Sequence, residues 1–413
     1  MAKLALRYGN SPPSSKEIQE QEALQFLAQI GFFEPDLPPP KLTPSFSQAV
    51  LLLTNRCQLR CTYCYAAAGT ALPKSLSLET GKRAIDYVYK QALEDNRTEY
   101  RIDFHGGGEP TLEWETLQEL VRYAREKPIR AKISVTSNGI WSEIQTSWLM
   151  DHLDSISLSM DGSPYTQDRQ RPLRDQQPSS SIVMRSLQRL DGNGFKYGIR
   201  MTACSPWKQL AQDVRFILEN TQCRSIQAEP AFNLERGKHD WPVPEQASAF
   251  GQRFIEAYEV AKQFQASLTY SGARPNTITT TFCSAPFNAL VINPDDQIVA
   301  CYEISDPYHP LADLATYGSM DGDELNIDPM AQRHFHTLLD ERFSTCRDCF
   351  CHWTCAGDCF ARSFAKEPNG HLFKSARCTI NREITKYLIL DLIQENGGVW
   401  RGHPSDNEIA LYG

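Results

Sequence analysis

Thirteen cysteines in 413 residues are the side chains best able to do chemistry, and they are unevenly spread. Cys57, Cys61 and Cys64 form one group, and eight more lie between 283 and 378. Cys204 and Cys223 stand alone and read as buried apolar residues. The opening MAKLALRYGNSPP has no apolar core of a signal peptide, and no apolar run reaches membrane-spanning length. The expected address is therefore the cytoplasm, where disulfides are rare and clustered cysteines read as metal ligands. Three thiolates in the tight loop CQLRCTYC can hold a [4Fe–4S] cube and leave one iron open to a cofactor or substrate. A zinc ion would want a fourth Cys or His close by, and none follows in sequence.

Further groups stand where a ligand would need them. In FHGGGEPTL, Gly107 and Gly108 let the backbone approach a ligand closely. Backbone carbonyls there, or the Glu109 carboxylate, can accept hydrogen bonds from an ammonium group. Gly106 lengthens this turn by one residue and is expected to change nothing essential. Asn138 in TSNG and Ser159 and Asp161 in SLSMDG end later strands, where turn capping is the competing role. Arg171, in DRQRP, can neutralise a ligand carboxylate or form an exposed salt bridge.

The elements that must position these groups alternate. Strand-like runs at 48–54, 100–104, 131–136, 154–160, 197–203 and 224–229 are separated by helical patterns at 77–94, 113–126, 142–152, 180–192, 206–220 and 245–265. Ser77 is the expected N-cap of the first helix, and Ser205-Pro206 the expected start of the fifth. Such alternation predicts a parallel sheet with right-handed crossovers and active-site loops at the carboxyl ends of the strands. Six units are too few for a closed eight-unit barrel, so the fold class is α/β, a partial (β/α)6 TIM-like barrel; periodicity also admits a doubly wound sheet. A small Cys-rich domain follows, whose CxxC spacings suit iron–sulfur clusters or a structural zinc. The expected boundaries are a helix and Pro-rich arm over 1–46, the barrel over 47–240, a bridging helical segment over 241–275, the Cys-rich domain over 276–385 and a tail over 386–413. The net charge of −8 argues against a nucleic-acid partner.

CQLRCTYC resembles the CxxxCxxC signature of the radical S-adenosylmethionine (SAM) family, including the aromatic Tyr63 before the last cysteine, and Gly107-Gly108-Glu109 resembles its GGE motif. The resemblance implies that the open iron chelates the amino and carboxylate groups of SAM. Reductive cleavage of SAM then gives a 5′-deoxyadenosyl radical that abstracts hydrogen. Tyr63 would lie near the adenine, and Asn138, Ser159, Asp161 and Arg171 near the ribose and carboxylate. The later cysteines resemble the SPASM extension. By position, Cys283, Cys301 and Cys359 would ligate auxiliary cluster I, and Cys346, Cys349, Cys355 and Cys378 auxiliary cluster II, giving three [4Fe–4S] clusters in all. Ala289 stands where fully ligated relatives have a further cysteine, so the fourth ligand of auxiliary cluster I is open, with Cys351 as a candidate or a free thiol. Asp296 replaces a glycine of the pattern in the hairpin turn NPDDQ.

Enzymes of this kind mostly modify peptides. The resemblance therefore implies a maturase acting on a ribosomally made precursor peptide by crosslink, thioether, epimerisation or backbone excision. Its partners would be an electron donor of flavodoxin or ferredoxin type and a separate leader-recognition protein, since the roughly 47 residues before the first strand read as a helix and Pro-rich arm, too little for a winged-helix recognition domain, and no other segment reads as an exposed sheet edge. A sulfatase-maturase-like enzyme is the alternative, against which Ala289 argues. A non-enzymatic iron–sulfur carrier would have no use for the GGE match. No side chain is singled out as acid or base.

Overall fold

The computed structural model describes residues 44–232, 234–237, 242–321, 324–363 and 376–398, together with Gln25 and Ala28. The chain divides into two units, Met1–Lys41 and Leu42–Gly413, and the fold described is that of the second. The helix and arm expected over 1–46 lie almost wholly outside the described residues.

Strands β1 (Gln48–Leu51), β2 (Glu99–Phe104), β3 (Arg130–Ser137), β4 (Ser155–Ser159), β5 (Gly198–Cys204), β6 (Ser225–Ala231) and β7 (Ser267–Thr269) pair in parallel and in chain order. The helices between them are α1 (Leu78–Glu94), α2 (Trp114–Arg125), α3 (Glu143–His152), α4 (Pro164–Gln170), α5 (Ser180–Gly192), α6 (Leu210–Asn220) and α7 (Pro244–Gln263). The reason is visible in α1. Ser77 accepts a hydrogen bond from the Thr80 amide, and Ala84, Ile85, Val88 and Ala92 bury one face. Burial of each larger aliphatic contributes about 1.5–3 kcal/mol. The fifth expected helix begins later than its Ser-Pro signal: the Ser205–Pro206 peptide is cis, Trp207 has φ +58°, and α6 starts at Leu210.

On each strand, residues facing the helices are buried and apolar, such as Ile102, Ile133, Ile156, Ile199 and Ile226. The alternate residues, among them Asp103, Ser134, Ser157, Arg200 and Gln227, are polar and part-exposed. A closed barrel fills its interior with branched apolar layers. Here the inner face is polar, which leaves room for ligands.

The Cys-rich region is not a detached domain. Strand β8 (Ala289–Ile292) pairs in parallel with β1, and β9 (Gln297–Val299), β10 (Thr316–Asp321) and β11 (Glu324–Ile327) extend the same 11-stranded sheet by antiparallel pairing. The boundary expected near 276 therefore separates no compact units, because backbone hydrogen bonds cross it. Ala289 is fully buried at the start of β8. Asp296 adopts φ +56°, the left-handed conformation that Asp tolerates and Gly supplies freely. Helix α8 (Pro329–Ser344) follows, then α9 (Arg377–Glu395). The expected tail at 386 is the second half of α9, which packs on α7 through Lys262–Asp391 at 2.7 Å and the Tyr387 hydroxyl donating to Glu259 at 2.8 Å. The expectation of no sheet edge is also corrected: among the described residues β11 ends the sheet, paired on one side by β10. Among the described residues no helix is long and apolar enough to cross a membrane.

Candidate active site

Behind the carboxyl ends of β1, β2, β3 and β4 lies one cavity lined by Cys57, Cys61, Cys64, Tyr63, Gly106, Gly107, Gly108, Glu109, Asn138, Ser159 and Arg171. Of the sequence-derived candidates for SAM, Asp161 alone is missing from its wall. The loop bearing the three cysteines rests on the backbone of the glycine turn. Gly108 packs so closely that a Cβ there would lie 2.1 Å from the Arg56 carbonyl oxygen and 2.7 Å from that of Thr54. Gly107, at φ +77°, bridges to Thr54, and the Glu109 amide donates to the Arg56 carbonyl at 2.8 Å. The glycine turn is thus the seat of the cysteine loop. Gly106, expected to be idle, lies against the Tyr65 hydroxyl and the Tyr302 carbonyl.

Glu109 is more a brace than a free acceptor. Its Oε1 accepts from the Thr111 amide and hydroxyl and from the Ser137 hydroxyl at 2.6 Å, and its Oε2 from the Asn138 amide at 2.8 Å. The carboxylate ties the β2 loop to the end of β3. Burial raises its pKa, opposed by these donors. Asn138 reaches inward, its side-chain amide 3.8 Å from the Cys57 sulfur, which also accepts from the Leu59 amide at 3.4 Å.

Asp161 acts from behind. Its carboxylate accepts from the Tyr63 hydroxyl at 2.7 Å and the Thr202 amide at 3.0 Å. Arg171 donates to the Tyr63 hydroxyl at 2.5 Å and lies 3.9 Å from Asp161. Because Arg171 is buried, the exposed salt bridge weighed for it is ruled out. Its Nε has no partner in the described structure. Tyr63, Asp161 and Arg171 form one buried network whose cationic end reaches the cavity.

Two arginines that no local motif marks secure the loop. Arg60 donates to the Cys57, Leu59 and Gly69 carbonyls at 2.8–2.9 Å. Arg236, beyond β6, donates to the Cys61 carbonyl at 2.6 Å and the Ala68 carbonyl at 2.8 Å. Sequence spacing carries no signal for a contact across 175 positions.

The donor set fits a [4Fe–4S] cluster with three protein thiolates: three soft donors on one loop, backed by N–H groups aimed at sulfur, and one open position facing a cavity. Burial pushes the Cys57 thiol up to about 11 and the Cys61 thiol up to about 12, so iron must displace their protons on binding. Among the described residues no three His, Cys, Asp or Glu donors converge as a single ion requires; in a cube each thiolate holds a different iron.

The later cysteines separate into two groups. Cys301 is held well above the ordinary thiol range by burial, then by the charges of Glu303, Cys359 and Cys283. Burial raises the Cys378 thiol, with Asp358 and Cys346 adding to the rise, and raises Cys355, where Asp358 and Cys378 add to it. Cys351 is buried against α9, its sulfur 3.9 Å from the Asn381 carbonyl oxygen, and its electrostatic neighbour is Cys349. The main cavity continues into this region, where Glu303, Ala361 and Arg362 complete its wall.

Comparison with known proteins agrees with this geometry. Residues 51–204 match the model of the radical SAM superfamily. Fe-coproporphyrin III synthase of Methanosarcina barkeri is 32% identical over 40% of this chain and 39% of its own length. The sporulation killing factor maturation protein SkfB of Bacillus subtilis is 26% identical over 61% of this chain and 59% of its own. The chain thus spans between about two fifths and three fifths of these curated relatives. Among solved structures, anSMEcpe with bound AdoMet superposes with a TM-score of 0.66 over 86% of this chain and 96% of that one, at 18% identity. Streptococcus suis SuiB bound to precursor peptide SuiA gives 0.57 over 87% and 80%, at 15% identity. At such identities the likeness is one of fold. With its three cysteines behind β1 and its glycine turn behind β2, the segment 51–204 is a radical SAM domain.

Proposed function

We propose that the protein is a radical SAM peptide maturase, acting on a residue of a ribosomally synthesised precursor peptide. The radical SAM domain implies a [4Fe–4S] cluster and SAM, which together supply a hydrogen-abstracting radical when bound. Cys57, Cys61 and Cys64 hold the cluster, with the Leu59 amide and the Asn138 side chain donating toward Cys57. Arg171, kept in place by Tyr63 and Asp161, faces the carboxylate of SAM, and Ser159 and Asn138 line the same wall. Cys283, Cys301 and Cys359 ligate one auxiliary cluster, and Cys346, Cys349, Cys355 and Cys378 a second.

The observation that carries the reading is the single cavity walled both by the cysteine loop and by Glu303 and Arg362 of the Cys-rich region. A substrate there touches the SAM site and the auxiliary-cluster region together. SkfB, a maturation protein by name, is similar over 61% of this chain, and SuiB was solved with a precursor peptide. An electron donor of flavodoxin or ferredoxin type and a separate leader-recognition protein complete the proposal, which places the enzyme in the cytoplasm.

The test is anaerobic reconstitution with SAM, dithionite and short peptides encoded beside the gene. The expected outcome is 5′-deoxyadenosine formation accompanied by a mass change in one peptide. Deoxyadenosine release with every peptide unaltered would overturn the maturase reading.

A further inference from the structure

Charge in the main cavity is matched almost everywhere. Glu109 is saturated by its four donors, Glu303 pairs with Arg362 at 2.7 Å, and Arg171 is engaged by Tyr63 and Asp161. Glu229 accepts from the Gln227 side chain at 3.0 Å and the Ser271 amide at 2.9 Å. Arg200, on β5, is the exception. It lines the cavity, is exposed, and has no ion pair or side-chain hydrogen bond among the described residues. Its strand register sets it beside Ser159 of β4 and Gln227 of β6, so its guanidinium enters from the polar inner face of the sheet.

A second unsatisfied group shares that space. His105 lines the same cavity, its Nδ1 is buried without a partner, and its ring lies 5.1 Å from that of Tyr302. Burial, with the charge of Arg200 adding to it, holds His105 neutral, and a neutral imidazole can present one N–H to an acceptor. Asp103, the nearby carboxylate on β2, accepts instead from Gln48 and Ser134 and makes no ion pair with Arg200. An unpaired guanidinium and an unpartnered ring nitrogen lining one cavity match a planar anion of single charge. The fork of Arg suits a carboxylate, held bidentately.

We propose that Arg200, with His105 and Tyr302 beside it, forms an anion subsite that takes a carboxylate of the substrate peptide, either an Asp or Glu side chain or the C-terminus. This rests on the peptide reading above and narrows its substrate class.

The test uses the reconstituted full chain, with Arg200→Gln and Arg200→Lys, and capped amino acids as probes. N-acetylglutamate N-methylamide is compared with its glutamine analogue, and N-acetylalanine with its amide, by saturation-transfer NMR. The native protein should bind at least one carboxylate probe about tenfold more tightly than its amide partner, a difference near 1.4 kcal/mol. The probe preferred identifies the source of the carboxylate. Arg200→Gln should erase the preference and Arg200→Lys should keep part of it, while SAM affinity by equilibrium dialysis stays within about twofold. Equal binding of acid and amide, or a preference that survives Arg200→Gln, overturns the subsite. A fall in SAM affinity of about tenfold in Arg200→Gln assigns the residue to SAM and overturns it too. These probes need no turnover, so a carboxylate preference without any peptide modified would sink the maturase reading and leave the subsite standing.

Discussion

Tyr63, Asp161 and Arg171 were each legible as residues near a ligand, but their mutual arrangement was not. Sequence places Asp161 at the end of a strand; the structure places it behind Tyr63, where it holds a buried cation. Taking away Arg171 strands the Asp161 carboxylate in the interior, a loss that typically costs about 3–5 kcal/mol. Arg171→Gln should lower the urea midpoint correspondingly, and Arg171→Lys should recover part of it; a midpoint shared by Arg171→Gln and the native chain would refute the buried pairing. Cys351 gives a second prediction at this scale. On the proposed ligand sets Cys351, buried against α9, serves neither auxiliary cluster, so Cys351→Ala should leave iron and sulfide per chain unchanged and reduce stability by about 1–2 kcal/mol. Loss of a cluster's worth of iron would make it a ligand. Arg60 and Arg236 show why sequence reading stops short here: a side chain gripping carbonyl oxygens has no required spacing.

Most elements were legible because hydrophobic period and capping agree. The expected strand at 100–104 is β2 at Glu99–Phe104, and the helix at 180–192 is α5 at Ser180–Gly192. What failed were short pieces with no full period: α4, whose seven residues carry Gln167 against Asp161, and β7. The glycine turn after β2 is the element on which the cluster loop depends. A methyl at Gly108 would strike the backbone of Arg56, which has no flexible end to give way. Gly108→Ala should therefore displace Cys57, remove about one third of the iron if three clusters are present, and abolish SAM binding while auxiliary-cluster absorption persists. Full iron content with native SAM affinity would show that the loop accommodates the methyl.

At the scale of the whole molecule, the partial barrel was legible from strand–helix alternation, and its union with the Cys-rich region was not. Strand β8 pairs with β1 across some 240 positions of sequence, and no periodicity reports such a partnership. One sheet implies one cooperative unit. Denaturant unfolding followed by far-ultraviolet circular dichroism and by cluster absorbance should give coincident transitions. Two separated midpoints would instead show barrel and Cys-rich region melting independently.

The hairpin between β8 and β9 shows what that union does locally. Its turn carries two acids that point away from the Cys-rich region: Asp295 pairs with Lys74, and Asp296 accepts from the Thr80 hydroxyl at 3.0 Å, in the first turn of α1. A carboxylate at that end of a helix also meets the positive pole of its dipole. The turn is thereby fastened to a helix more than 200 residues earlier in the chain. Surface hairpins normally exchange their amide hydrogens through local fraying, at rates unrelated to the rest of a protein. Here the amides of Asp296 and Gln297, bonded within the turn to Asn293, should exchange only as fast as the first turn of α1 opens, and exchange much faster than the α1 amides would refute that coupling. Their deuterium uptake thus reports on the barrel from within the Cys-rich region.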